Sequence, residues 1–146
     1  MATSIADPRR VLVIDDERDV LDTVAAILDA EFSVETCNSP AVAYKLLARE
    51  PFDVVCTDYR MPNMTGIDLI ESIVDRDIVV SVVLLTGHYE LCSADLKAKE
   101  RLTRALPIGV LQKPYAPQEL IDTIRRACSF ARLRRAVRGL SGGGER

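Results

Sequence analysis

At 146 residues, with 48% hydrophobic content and a formal charge of −3, the chain has room for one compact domain around one ordinary core. The acidic balance, with a pI near 5.2, gives no global basic face, which argues against nucleic-acid binding by the domain as a whole. The four cysteines, Cys37, Cys56, Cys92 and Cys128, lie 19 to 36 residues apart. That spacing fits neither a zinc ribbon nor a dense disulfide framework, and a reducing cytoplasm is expected. The opening "MATSIADPRR" is polar rather than a signal segment, and no apolar run is long enough to span a bilayer, so no membrane association is expected.

Strand-like and helix-like segments alternate along the chain. "VLVID" (11–15) is apolar, and "ERDVLDTVAAILDA" (17–30) spaces Val20, Leu21, Val24, Ile27 and Leu28 as one face of a helix. "FSVETC" (32–37) leads to "SPAVAYKLLARE", where Ser39 is placed to cap and Pro40 to open a helix. "FDVVCT" (52–57) is followed by the loop "DYRMPNMTG" and by "GIDLIESIVD", with Ile67, Ile70, Ile73 and Val74 on one side. "IVVSVVLLT" (78–86) precedes a polar, Lys-rich helix expected over about 91–104, and "IGVLQ" (108–112) precedes "APQELIDTIRRACSFARLRRAV".

Five βα units follow from this pattern. Runs such as "VLVI" and "VVLL" are apolar on both faces, as strands are when helices cover both sides of a parallel sheet. Right-handed crossovers then give a three-layer, doubly wound α/β sandwich with five helices. In such sheets sites form beyond the carboxyl ends of the strands. Here the first strand ends in Asp15 and Asp16, the third in Asp58, the fourth in Thr86 and the fifth in Gln112 and Lys113. Polar chemistry from four strands faces one rim.

The acidic pair in "VIDDE", the aspartate in "TDYRMPNMTG", the hydroxyl in "LLTGH" and the "KP" of "LQKPY" together resemble the receiver domain of two-component response regulators, over roughly residues 10–130. Each motif alone is weak; in this order, on these strand ends, the set is specific. The resemblance implies a flavodoxin-like fold with strand order 2-1-3-4-5. It implies Asp58 as phosphoacceptor from a histidine kinase or phosphotransfer protein. It also implies Asp15, Asp16, Asp58 and the backbone carbonyl of Arg60 as Mg²⁺ ligands, Thr86 and Lys113 as contacts to the phosphoryl group, and a cis peptide between Lys113 and Pro114. A receiver of this kind is a signalling switch rather than a turnover enzyme.

Elementary electrostatics is consistent with those roles. Carboxylates gathered within about 5 Å repel by roughly 3 kcal/mol per pair at an effective dielectric near 20, and a cation relieves that. An all-oxygen donor set suits Mg²⁺ rather than zinc. Plainer readings compete at each position. Asp58 could form a turn, Asp15 and Asp16 could cap the following helix, Thr86 could be a turn residue before Gly87, and Lys113-Pro114 could only end a strand. His88 either overhangs the rim or is a solvated loop residue, Arg60 shares that ambiguity, and Cys56 reads as core filler.

Two departures from the family pattern stand out. Receivers usually carry an aromatic residue three positions before the lysine, where this chain has Val110, leaving Tyr89 and Tyr115 as the nearby aromatic substitutes. The stretch from Thr86 to Lys113 is also long, with "LTRALPIG" before the fifth strand, so the fourth helix or its loop is expected to be remodelled. Residues 131–146 read as a helical extension and Gly-rich tail. From Phe130 on, Leu133, Val137 and Leu140 fall at 3–4 spacing among arginines, which suits either a homodimerising or linker helix or a solvated basic end. The output partner is unspecified, and the chain reads as a stand-alone receiver or as part of something longer. Two rival functions are a degenerate receiver acting only as a protein-binding module, and an Asp-nucleophile phosphohydrolase of the haloacid dehalogenase kind. The latter would place its nucleophile after the first strand, which here ends "DDE".

Overall fold

A computed structural model describes residues 8–144. Five parallel strands form the sheet: β1 (Arg10–Ile14), β2 (Ser33–Cys37), β3 (Val54–Asp58), β6 (Ser81–Thr86) and β7 (Ile108–Gln112). Their order is β2-β1-β3-β6-β7. This is the expected 2-1-3-4-5 arrangement, because β4 (Arg60–Met61) and β5 (Met64–Thr65) are a separate two-residue hairpin within the loop after β3. Pro62 and Asn63 make its turn, and Asn63 takes φ 72°, a left-handed conformation that asparagine tolerates better than most residues.

Side chains alternate between two cores, as strand geometry requires. Val11, Val13, Val54, Cys56, Val83 and Leu85 meet α1 (Arg18–Leu28) and α6 (Pro117–Gly144) on one face. Leu12, Ile14, Val55, Val82 and Leu84 meet α2 (Pro40–Arg49), α3 (Gly66–Asp75), α4 (Tyr89–Lys97) and α5 (Glu100–Ala105) on the other. Ser39 caps α2 by accepting from Val42 N at 3.3 Å. A capping box fixes the start of α3, with Thr65 Oγ1 accepting from Asp68 N and Asp68 accepting from Thr65 N. At Gly66 a side chain would not fit: a Cβ there would sit 2.5 Å from Leu84 Cδ2 and 3.0 Å from the Asp58 carbonyl oxygen. That close approach lets α3 begin directly beneath the end of β3.

The segment expected as one helix over 91–104 is two, which raises the helix count from five to six. The reason lies in hydrophobic phase. Cys92 and Leu96 are buried four residues apart, as are Leu102 and Leu106, but the six-residue step from Leu96 to Leu102 is out of phase with an α-helical turn. Breaking the helix at Ala98 and Lys99 turns Leu102 back toward the sheet. Lys99–Glu71 and Arg101–Asp75 ion pairs, each at 3.2 Å, tie α5 to α3.

The last helix runs without interruption through the expected boundary at residue 130, for about 42 Å over its 28 residues. Its arginines bind back onto the domain. Arg134 donates to the carbonyls of Arg104 and Ala105, and Arg138 forks onto Asp77. Phe130, Leu133, Val137 and Leu140 remain exposed.

Candidate functional site

The rim of the sheet brings together Asp15, Asp58, Thr86 and Lys113, each delivered by a strand end. Asp15 follows β1 and is buried, with its carboxylate accepting from the Glu17 backbone N–H at 2.9 Å. Burial first, and then the charges of Asp58 and Asp16, push its pKa up to about 6, against the lowering effect of the Glu17 N–H and of Lys113. Asp16, next along, is exposed. Asp58 ends β3 half-buried, and Lys113 Nζ donates to its Oδ1 at 3.2 Å. The Lys113–Pro114 peptide is cis, as expected, and a hydrogen bond from the lysine's backbone N–H to the Thr86 carbonyl at 2.8 Å fixes its strand end.

Thr86 is buried at the tip of β6, and its hydroxyl accepts from the His88 backbone N–H at 2.8 Å. His88 itself is exposed at the N-cap position of α4. Arg60 opens β4 two residues past Asp58 with its side chain exposed. Cys56 is fully buried in the core, where burial lifts its thiol to about 12, consistent with filler rather than chemistry. Tyr115 flanks the acidic group half-buried, also pushed up to about 12, by burial first and then by Cys56, Asp15 and Asp58.

Among the described residues no three Asp, Glu, His or Cys side chains are assembled as a metal cage. The donors nevertheless fit Mg²⁺ better than any softer metal. They are oxygen atoms, one carboxylate is buried with further negative charge beside it, and Mg²⁺ binds such oxygens while keeping several waters. With Asp58 Oδ1 turned to Lys113, its second oxygen is left beside the buried Asp15.

The sequence pattern missed two residues. Tyr59, immediately after Asp58, is buried against α4 and its hydroxyl donates to Asp95. Asp53, at the opposite end of β3, is buried and bound by Arg132 and Arg135. A tyrosine at the end of an apolar strand signals that its hydroxyl needs a partner. Nothing in sequence spacing points to Asp95 or to arginines some eighty residues downstream.

Comparison with known proteins decides the family. The family described as response regulator receiver domain matches residues 11–125. The chain belongs to that family. Among solved structures, a response regulator receiver domain from Clostridium thermocellum superposes with a TM-score of 0.73 at 30% identity, covering 86% of this chain and 98% of that one. The chemotaxis response regulator CheY4 of Vibrio cholerae gives a TM-score of 0.67 at 26% identity, covering 83% and 99%. In sequence, the hydrogenase transcriptional regulatory protein HoxA of Cupriavidus necator is 35% identical over 117 residues, which are 80% of this chain and 23% of HoxA. The C4-dicarboxylate transport transcriptional regulatory protein DctD of Pseudomonas aeruginosa is 29% identical over 125 residues, 85% of this chain and 26% of DctD. The receiver domain thus spans about a quarter of the length of these curated relatives. No helix among its described residues is long and apolar enough to cross a membrane.

Proposed function

We propose that Asp58 of this receiver domain accepts a phosphoryl group from the phosphohistidine of a histidine kinase or phosphotransfer protein, and that the resulting aspartyl phosphate repositions α4. The observation that carries this reading is the placement of Lys113 Nζ 3.2 Å from Asp58 Oδ1, beside the buried Asp15. In the transfer, an Asp58 carboxylate oxygen forms the new O–P bond as the P–N bond to imidazole breaks. The departing nitrogen keeps the electron pair and takes a proton from solvent. Lys113 follows the incoming phosphoryl oxygens and offsets their charge. Asp15, Asp16, Asp58 and the Arg60 carbonyl would hold Mg²⁺, which when bound supplies further positive charge against those oxygens.

The Thr86 hydroxyl accepts from His88 N–H, so its own proton is available to a phosphoryl oxygen on Asp58. Donating it draws Oγ1, and with it the start of α4, toward the site. Hydrolysis of the acyl phosphate by water resets the domain, which makes it a switch rather than a turnover enzyme. A cytoplasmic location suits the four buried free thiols. The test is incubation with Mg²⁺ and acetyl phosphate. The wild type should gain about 80 Da by intact mass, one phosphoryl group, and Asp58→Asn should gain nothing. A folded wild type that never gains this mass would favour the pure binding-module reading.

The receiver proper spans 10–130, and the 131–146 extension supplies a homodimer contact. Phe130, Leu133, Val137 and Leu140 are 54–78% exposed and fall in an a/d heptad register. Arg135 and Arg138 lie off that seam and are bound to the domain, which leaves an apolar stripe facing outward. In a parallel pair the flanking positions would set Arg134 opposite Ser129, with no like charges apposed there.

A further inference from the structure

The aromatic switch position of the family is Val110 here, and β7 offers nothing in its place. Val110 pairs with Leu84 of β6 and packs half-buried on the core, with neither a ring to rotate nor a polar atom. Tyr89 is 44% exposed, so it is not the buried aromatic that couples strand and helix. Tyr59 is. Its backbone N–H donates to the Leu85 carbonyl at 2.9 Å and its carbonyl accepts from Gly66 N at 2.7 Å, which fixes it between β6 and α3. Its ring, 3% exposed, belongs to the same core cluster as Cys92 and Leu96 of α4. Its hydroxyl donates to the Asp95 carboxylate on the same helix.

Helix α4 is thus tied to the chemical site at two points. Thr86 holds its N-terminus through His88, and Tyr59 holds its middle through Asp95. Between them α4 buries only Cys92 and Leu96, and an element with so few apolar contacts is easily shifted. The two ties respond differently to a phosphoryl group on Asp58. Thr86 gains an acceptor and moves toward it. Tyr59, anchored by its backbone on both sides, has no reason to follow.

We propose that the Tyr59–Asp95 hydrogen bond is a latch that holds α4 in its unphosphorylated position and is released when Thr86 draws the helix N-terminus toward the phosphorylated site. This rests on the reading of Asp58 as phosphoacceptor. Tyr59 acts as a positioning residue through α4 and makes no contact with the reacting atoms. Because the latch stabilises one state only, linkage makes it oppose phosphorylation by the same factor that phosphorylation opposes it.

The experiment is titration of the intact chain with beryllofluoride in the presence of Mg²⁺, for wild type, Tyr59→Phe, Asp95→Ala and the double variant. Tyr59→Phe keeps the packed ring and removes only the hydroxyl. With four tyrosines and no tryptophan, the chain reports directly through tyrosine emission, which is quenched for a phenol bonded to a carboxylate. Each single variant should bind beryllofluoride roughly tenfold more tightly, the loss of one charge-assisted hydrogen bond, and the double variant no more tightly than either. Wild-type emission should rise on binding, and that rise should be absent in Tyr59→Phe. Unchanged or weaker binding in both single variants, or additive gains in the double, overturns the latch while leaving Asp58 as acceptor. A wild type that binds no beryllofluoride overturns both. A merely structural role for Tyr59 would lower the melting temperature without tightening binding.

Discussion

Asp53 and Arg135 join the two ends of the chain's logic: the carboxylate that precedes β3 accepts from the guanidinium of the C-terminal helix at 2.9 Å, at the opposite end of the strand from Asp58. Arg132 adds a second contact to Asp53 at 3.1 Å, the Arg10 backbone N–H a third at 2.9 Å, and Arg135 also reaches the carbonyls of Phe52 and Val79. The base of the sheet is thereby strapped by α6.

Removing that carboxylate takes away the acceptor that Arg132 and Arg135 share. Asp53→Asn should lower unfolding stability by about 2 kcal/mol at neutral pH, less than for a fully buried pair because both arginine side chains are 35% exposed. Burial would raise the Asp53 pKa, but Arg132, the Arg10 N–H and Arg135 outweigh it and hold it below the ordinary range. The stabilisation is therefore present above the unfolded value near 3.8 and lost as pH falls below it. Denaturant unfolding from pH 3 to 7 should show the difference between wild type and Asp53→Asn shrinking as pH falls.

Asp15 should behave in the opposite sense. Its pKa rises from 3.8 to about 6 in the metal-free fold, so the native state binds more protons than the unfolded chain between those values. Stability then falls as pH rises through that window, by up to about 3 kcal/mol. Asp15→Asn should raise the metal-free melting temperature at pH 7.5 but hardly at pH 4. The Mg²⁺-induced rise should be large in wild type at pH 7.5, small at pH 5, and abolished in the variant. An Asp15→Asn chain less stable than wild type at pH 7.5 without metal would assign the carboxylate a structural role through its bond to Glu17 instead.

The five-stranded order was legible because doubly apolar runs alternate with amphipathic ones, and the rim residues because strand ends in such a sheet converge. The small hairpin of β4 and β5 was not, since two-residue strands leave no period to detect. The break between α4 and α5 is visible only as a phase error between Leu96 and Leu102, not as a glycine or proline. Val110 announced that the usual coupling residue was missing, yet Tyr59, which we propose as its replacement, lies in the loop just after β3. Tyr59 meets Asp95 across 36 positions, a contact fixed by packing rather than spacing. For the arginines at 132–138 a solvated basic end remained one reading because acceptors they bind among the described residues, including Asp53, Asp77 and five backbone carbonyls, are remote in sequence.

The exposed seam of α6 should appear as self-association. Sedimentation equilibrium of the whole chain should show a monomer–dimer equilibrium, and Leu133→Glu should shift it to monomer without loss of helical signal. A strictly monomeric wild type at high micromolar concentration would remove the homodimer contact.

Phosphorylation or a beryllofluoride mimic should change amide exchange mainly across 86–108, where Thr86 pulls on His88 and Tyr59 releases Asp95, with little change at Val110. A response confined to β7, or spread evenly over the domain, would contradict this route.

Borohydride trapping reads at residue level whether Asp58 carries the phosphoryl group. Reduction of an aspartyl phosphate yields homoserine, so the peptide containing Asp58 should lose about 14 Da after treatment with acetyl phosphate and Mg²⁺, and only then. Homoserine at position 58, absent when Mg²⁺ is withheld and absent in Lys113→Ala at matched times, is the predicted result. Homoserine at Asp15 or Asp16 with position 58 unmodified would place the phosphoryl group elsewhere.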